Sequence, residues 1–185
     1  MIIGVTGKQL SGKSTVAEYL RDRYGFRMLC FTEDLLKPIL EKRKEPVNRI
    51  SLIRLGMEIR KKYKRKDALV MLLSRKISTR KNYAIAGIRF PEEVSFMRKK
   101  FGRNFVLIAV KASVEIRFMR AKASMRFKEQ VISMKDFLKI EKLPTEKIIP
   151  KTMRLADFTV QGGFTKEKLR GDVDGVMKEL ALDIK

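Results

Sequence analysis

The 185 residues contain no histidine and a single cysteine, Cys30. The first absence removes imidazole acid–base chemistry and histidine-ligated metals, so any proton transfer falls to carboxylates, lysine or water. The second excludes an intramolecular disulfide and an all-cysteine zinc site, and makes a reducing cytoplasm the expected setting. No run reaches the roughly 18 apolar residues that a membrane span needs, so no membrane partner is expected. The short apolar start, Met1 to Val5, lacks a basic leader and does not read as a signal peptide. Acidic residues are scarce as well: 21 Asp and Glu stand against 43 Lys and Arg, a net charge of +22.

That charge has two readings. Over the surface expected for this mass, the excess cations lie about 20 Å apart, beyond the Debye length of about 8 Å. A lysine-rich surface with one cleft for an anionic substrate therefore accounts for it. A nucleic-acid-binding face is the other reading, weakened by how few aromatics are interleaved with the basic residues.

The pattern along the chain alternates. Ile2 to Val5, Arg27 to Phe31, Tyr83 to Ile88, Phe105 to Val110 and Phe158 to Val160 are short apolar runs of the kind buried in a parallel sheet. Helical spacing is expected over Lys13–Arg23, Asn48–Arg60, Asp67–Ile77 with Asp67 as N-cap, Glu92–Lys100, Val114–Phe127 and Thr165–Leu182. Ser133 to Lys151 is polar, carries Pro144 and Pro150, and reads as a mobile stretch. The methionines read as core fillers. Such alternation predicts an α/β fold.

One motif carries chemistry. Gly7-Lys8-Gln9-Leu10-Ser11-Gly12-Lys13-Ser14 fits G-x-x-x-x-G-K-[ST] at every fixed position, between a strand and a helix. Gly7 and Gly12 allow backbone angles that a side chain would block. The loop amides and the positive end of the following helix then face one anion. Lys13 is expected on the β- and γ-phosphates of ATP, Ser14 on Mg²⁺ and Thr15 on the α-phosphate.

With that motif the chain resembles the nucleoside-monophosphate-kinase-like group of P-loop kinases. Within it the nearest resemblance is to phage-type deoxynucleoside monophosphate kinases; dephospho-CoA kinases and an uncharacterised archaeal nucleotide-binding family are relatives. The resemblance runs in order through Gly4-Val5-Thr6-Gly7-Lys8, Tyr24-Gly25-Phe26, Asp34-Leu35-Leu36-Lys37, Arg54-Leu55-Gly56-Met57-Glu58-Ile59-Arg60, Ile88-Arg89-Phe90-Pro91-Glu92-Glu93 and Ala156-Asp157-Phe158-Thr159-Val160. It implies a three-layer α/β/α P-loop fold, with a five-stranded parallel sheet and a helical lid, in one domain spanning 1–185. The core would be 1–34, 83–112 and 155–185, the acceptor-side helices about 35–80, and the lid about 115–150.

The resemblance also implies roles. Asp34 would orient the acceptor or Mg²⁺, with a helix N-cap as its structural alternative. Arg89 would grip the acceptor's phosphate, a task suited to a planar guanidinium, or else pair with Glu92 or Glu93 at the surface. Arg54, Arg60 and Asp67 would line the acceptor site. Arg117, Arg120 and Arg126 would be lid arginines that meet the charge spread over the migrating phosphoryl group. Gln161, Gly162 and Gly163 would shape the pocket for the base of the triphosphate, and Asp157 would hold structure through hydrogen bonds. The implied activity is phosphoryl transfer from ATP to a phosphorylated small molecule such as a (deoxy)nucleoside monophosphate. A nucleotide-binding regulator or nucleic-acid-associated ATPase and a dephospho-CoA kinase are the alternatives.

The chain departs from the family at one place. An aspartate usually precedes the Ile-Arg-Phe segment, and here Ala86-Gly87 stands there. Three readings follow: Asp34 takes over the metal, phosphates and Ser14 hold Mg²⁺ alone, or nucleotide binds with little turnover.

Overall fold

The computed structural model describes residues 1–124, 133–163 and 165–182. Five strands form one all-parallel sheet: β1 (Ile2–Thr6), β2 (Arg27–Cys30), β3 (Tyr83–Ile88), β4 (Phe105–Lys111) and β5 (Phe158–Gln161), in the order β2-β3-β1-β4-β5. The helices are α1 (Lys13–Tyr24), α2 (Lys37–Lys42), α3 (Arg49–Tyr63), α4 (Ala68–Leu73), α5 (Pro91–Phe101), α6 (Val114–Ala123), α7 (Met134–Glu141), α8 (Pro144–Lys147), α9 (Ile149–Met153) and α10 (Lys166–Leu182).

Both sheet faces are buried, which is why the strand segments read as continuous apolar runs. On one face Ile3, Val5, Ile108, Val110 and Val160 pack against Val16, Ala17 and Leu20 of α1 and Leu169 and Val173 of α10. On the other, Ile2, Ile85 and Leu107 pack against Val70 and Leu73 of α4 and Val94 and Met97 of α5. A third cluster joins Leu36, Leu40, Leu55, Ile59 and Leu69, and seats the helices between β2 and β3. The three-layer fold expected from the sequence is present. All strand C-termini open on the side of the Gly7–Ser14 loop, where open α/β sheets bind ligands.

Four local readings are corrected. Residues 133–151 are not a loose stretch: they form α7, α8 and α9 and bury Phe137, Glu146, Ile149 and Thr152. Their polarity misleads because part of it is paired internally. The segment Phe31–Leu36 is a single π-helical turn, with α2 beginning only at Lys37. Asp67 precedes α4 but does not cap it; its carboxylate is taken by Arg65, with two contacts of 2.5 Å. Met57 and Met119 are exposed at 66% and 60%; Met57 with Ile50 and Ile53 leaves an open apolar stripe on α3, and Met119 lies on α6. Of the described methionines only Met97 is fully buried in the core.

Asp174 of α10 ties that helix to α1. It accepts from Tyr19 Oη at 2.8 Å and from Tyr24 Oη at 2.6 Å. The hydrogen bond from Tyr24 is the main cause that holds its carboxyl below the usual aspartate range, and the same contact, with burial first, pushes the Tyr24 hydroxyl up to about 12. A depressed carboxyl stabilises the fold above its unfolded value and loses that effect as pH falls through its folded value. Asp174→Ala should therefore cost about 1 kcal/mol at neutral pH, solvent screening included. The gap to wild type should close as denaturant melts are carried from pH 5 towards pH 2.

Candidate phosphate-binding site

The Gly7–Ser14 loop leaves β1 and enters α1 through a strained path. Gly7 and Gly12 have φ of 147° and 109°, and Leu10 adopts φ 63°. A Cβ on Gly7 would meet Val110 O at 2.5 Å and Ser11 Oγ at 2.7 Å, so only glycine fits. Gly12 gives α1 no side-chain cap and its first turn holds no acid, so that its first N–H groups remain available to a ligand. Ser11 Oγ is buried and has no hydrogen-bond partner among the described residues, a group that a bound phosphate would satisfy.

Cations surround this cradle. Lys13 Nζ donates to Lys8 O at 2.7 Å. Burial, followed by the neighbouring Arg89, pulls the Lys13 ammonium from 10.5 down to about 7, with Glu146 opposing. Arg89, at the end of β3, directs its guanidinium to Glu146 at 2.5 Å rather than to Glu92 or Glu93. Arg117 is 4% exposed; it donates to Glu141 at 2.6 and 3.1 Å and to Ala112 O at 3.2 Å. Arg120 bridges Leu10 O at 2.9 Å and Gly163 O at 2.5 Å, and burial lowers its pKa. Arg117 and Arg120 thus both turn inward from one face of α6, while Arg126 lies outside the described residues.

The loop after β5 braces the cradle. Gly162 N donates to Lys111 O at 2.6 Å, and Gln161 N to Asp172 at 2.7 Å. A Cβ on Gly162 would lie 1.9 Å from Ser11 O. Asp157 accepts from Leu107 N and Arg98, both at 2.7 Å, and fastens β5 to its neighbours. A cavity of about 430 Å³ opens beside the cradle, bordered by Lys8, Lys111, Ser113, Arg117, Met153 and Gln161.

On the acceptor side the predicted residues separate. Arg60 reaches Glu93 at 3.3 Å and lies over the Phe90 ring at 4.8 Å, next to Arg89. Arg54 is 63% exposed and bound to Glu45, and Asp67 is held by Arg65, so neither contacts Arg89 or the loop in this state. Glu93 is the residue that sequence reasoning undervalued. It is fully buried and accepts from Arg89 N at 2.8 Å and Phe90 N at 3.2 Å, fixing the turn that aims Arg89. Burial outweighs those contacts and raises its carboxyl. A Glu at the third position of α5 was the available signal.

The place of the missing acid is a β-bulge. Thr6 pairs with Ile88 where Val5 pairs with Ala86, and the skipped residue, Gly87, has φ 99°. Asp34 accepts from Cys30 N at 2.6 Å through one oxygen. Among the described residues no three acidic or cysteine side chains cluster to hold a metal. The Ser14 hydroxyl at the start of α1 is exposed, so that any Mg²⁺ here would be held chiefly through bound phosphates.

No protein-family model matches the chain. A curated protein of Archaeoglobus fulgidus, described as a UPF0200/UPF0201 protein, is 28% identical over 187 aligned positions; the match takes in 99% of this chain but only 57% of that relative. Among solved structures, a shikimate kinase from Bacteroides thetaiotaomicron aligns with TM-score 0.65 at 11% identity over 98% of both chains. A gluconokinase from Sinorhizobium meliloti aligns with TM-score 0.63 at 12% identity, covering 98% of this chain and 94% of that one. TT1252 from Thermus thermophilus aligns with TM-score 0.58 at 22% identity, covering 100% and 98%. At these identities the likeness is one of fold, and that fold is the one P-loop kinases use.

Proposed function

We propose that the chain is a kinase that moves the terminal phosphoryl of ATP to a phosphorylated small molecule, a (deoxy)nucleoside monophosphate being the acceptor that fits best. The observation that carries this reading is the anion cradle itself: a glycine-shaped loop with an unpaired buried Ser11 hydroxyl, facing Lys13, Arg89 and Arg117. The structural neighbours include a gluconokinase and a shikimate kinase, so fold alone does not choose the acceptor.

Chemistry narrows the choice. A phosphate monoester has its second pKa near 6, so its attacking oxygen is already ionised at neutral pH and needs no general base. That suits a chain without histidine whose cradle carboxylates are held by cations. The acceptor oxygen attacks the γ-phosphorus, the bond to the β,γ-bridging oxygen breaks, and ADP leaves. Lys13 and the loop amides hold the phosphates of ATP, Arg89 with Arg60 takes the acceptor's phosphate, and Arg117 and Arg120 meet the charge that spreads in the transition state. Mg²⁺, held by the phosphates with Ser14 and Asp34, would neutralise the β- and γ-oxygens. The cavity beside Lys8 offers room for a nucleoside.

The test is a phosphoryl-transfer screen with labelled ATP and Mg²⁺ against all ribo- and deoxynucleoside monophosphates, dephospho-CoA, gluconate and shikimate. Label should appear on one monophosphate class. Transfer only to dephospho-CoA or to a hydroxyl acid would reassign the acceptor. The net charge of +22 favours a second reading, a nucleic-acid-associated ATPase. ATP hydrolysis stimulated by RNA or DNA, with no labelled small-molecule product, would select it.

A further inference from the structure

The cradle already holds an anion, and the protein itself supplies it. Glu146 on α8 is 3% exposed. Its Oε2 accepts from Gln9 N, an amide of the phosphate loop, at 3.3 Å, and its Oε1 accepts from Arg89 at 2.5 Å. Five residues earlier, at the end of α7, Glu141 accepts from Lys8 Nζ at 2.5 Å and from Arg117. Hydrogen bonds from Arg117 and Lys8 overcome the effect of burial and hold the Glu141 carboxyl below the usual range. A buried carboxylate and a partly buried one beside it are costly unless cations and N–H groups compensate them. Here the compensating groups are the ones a polyphosphate needs: a loop amide, the loop lysine Lys8, the β3 arginine and a lid arginine.

The segment is also fastened by apolar packing, with Ile149 of α9 fully buried. Thr152 Oγ1 donates to Arg89 O at 2.6 Å. Phe137 and Ala121 form a small apolar cluster with Leu10, Val114 and Phe118. Resting on the reading of residues 7–15 as a triphosphate site, we infer that Glu146, with Glu141 beside it, is an internal phosphate mimic that latches the lid over the cradle, so that an incoming polyphosphate must expel it. Both anions cannot share the site: Glu146 already takes Gln9 N and Arg89, the donors a phosphate would use, and like charges repel strongly in a partly dry cleft. Expulsion frees Arg89 and Arg117 at the moment phosphate arrives. Arg89 and Arg117 are therefore masked until phosphate arrives, and the lid loosens on binding before it closes around the substrate.

The experiment measures inorganic tripolyphosphate binding by calorimetry, without nucleotide or Mg²⁺, and trypsin cleavage within residues 133–151, a segment with many lysines. Glu146→Gln should bind tripolyphosphate at least about tenfold tighter than wild type, equivalent to about 1.4 kcal/mol. It should also be cleaved faster in the lid without any ligand. In wild type, tripolyphosphate should accelerate that cleavage. Equal or weaker tripolyphosphate binding by Glu146→Gln, or protection of the wild-type lid by tripolyphosphate, overturns the latch. If Glu146→Gln fails to fold, Glu146→Asp keeps the charge but withdraws it from Gln9 N, and should show the same two changes to a smaller extent. The outcomes separate from those of the kinase reading. A tripolyphosphate effect with no acceptor labelled in the transfer screen sinks only the kinase; labelled acceptor with no Glu146 effect sinks only the latch.

Discussion

Lys13→Ala should lower phosphoryl transfer by about 10²–10³-fold or more and weaken triphosphate binding, without lowering the melting temperature. The functional part follows from position. Lys13 opens α1, its ammonium sits within the loop on Lys8 O, and no other described lysine makes that contact. The stability part follows from its neighbours. Burial and the proximity of Arg89 and Arg117 disfavour the charged amine in the ligand-free protein. Removing it relieves repulsion rather than breaking a supporting pair. Lys13→Arg should not rescue, because a planar fork cannot replace a compact ammonium inside so narrow a loop. Turnover in Lys13→Ala equal to wild type, read by labelled ATP, would remove the catalytic assignment. A melting temperature several degrees lower would mean that the lysine serves the fold instead.

Gly162→Ala is expected to be the most damaging single methyl group that can be added near the site. Its Cβ would stand 1.9 Å from Ser11 O and 3.1 Å from Ser11 C, both backbone atoms that cannot swing aside. Either the loop after β5 lifts, breaking the 2.6 Å bond from Gly162 N to Lys111 O, or the phosphate loop shifts. Overpacking of this kind costs about 3 kcal/mol, or about 6–12 °C in melting temperature for a chain of this size. Triphosphate affinity should fall with it, because Ser11 belongs to the cradle. Gly163→Ala is the control, since its nearest neighbour would be the flexible Lys168 side chain at 4.0 Å. Thermal melts of the two variants side by side decide the matter: equal stability would mean that the loop after β5 is not wedged against the cradle.

The two variants probe different kinds of information. The role proposed for Lys13 rests on eight consecutive residues, because a loop of this motif is a local object. Its glycines, its lysine and the helix that follows lie next to one another in the chain, and backbone sterics fix their arrangement. The wedge at Gly162 was not legible, since a glycine after a strand reads the same whether it faces solvent or another backbone.

The layers, the five strands and the glycine-bounded turn of residues 7–14 were readable from the chain alone, for these rest on short-range physics: continuous apolar runs for strands buried on two faces, periodic ones for helices, and glycines where φ must be positive. The sequence also marked Arg89, Arg117 and Arg120 as cations to watch. Only the tertiary structure decided which anions those cations meet. It sent Arg54 to Glu45 and Asp67 to Arg65, and it gave Lys8 and Gln9 partners 133 and 137 residues away. A stretch that looked loose by composition became helical and packed, because its glutamates meet Lys8, Gln9, Arg89 and Arg117, groups 24 to 137 residues away in the chain. Charge pairing across such separations leaves no periodicity to read; it exists once the sheet has set the distances.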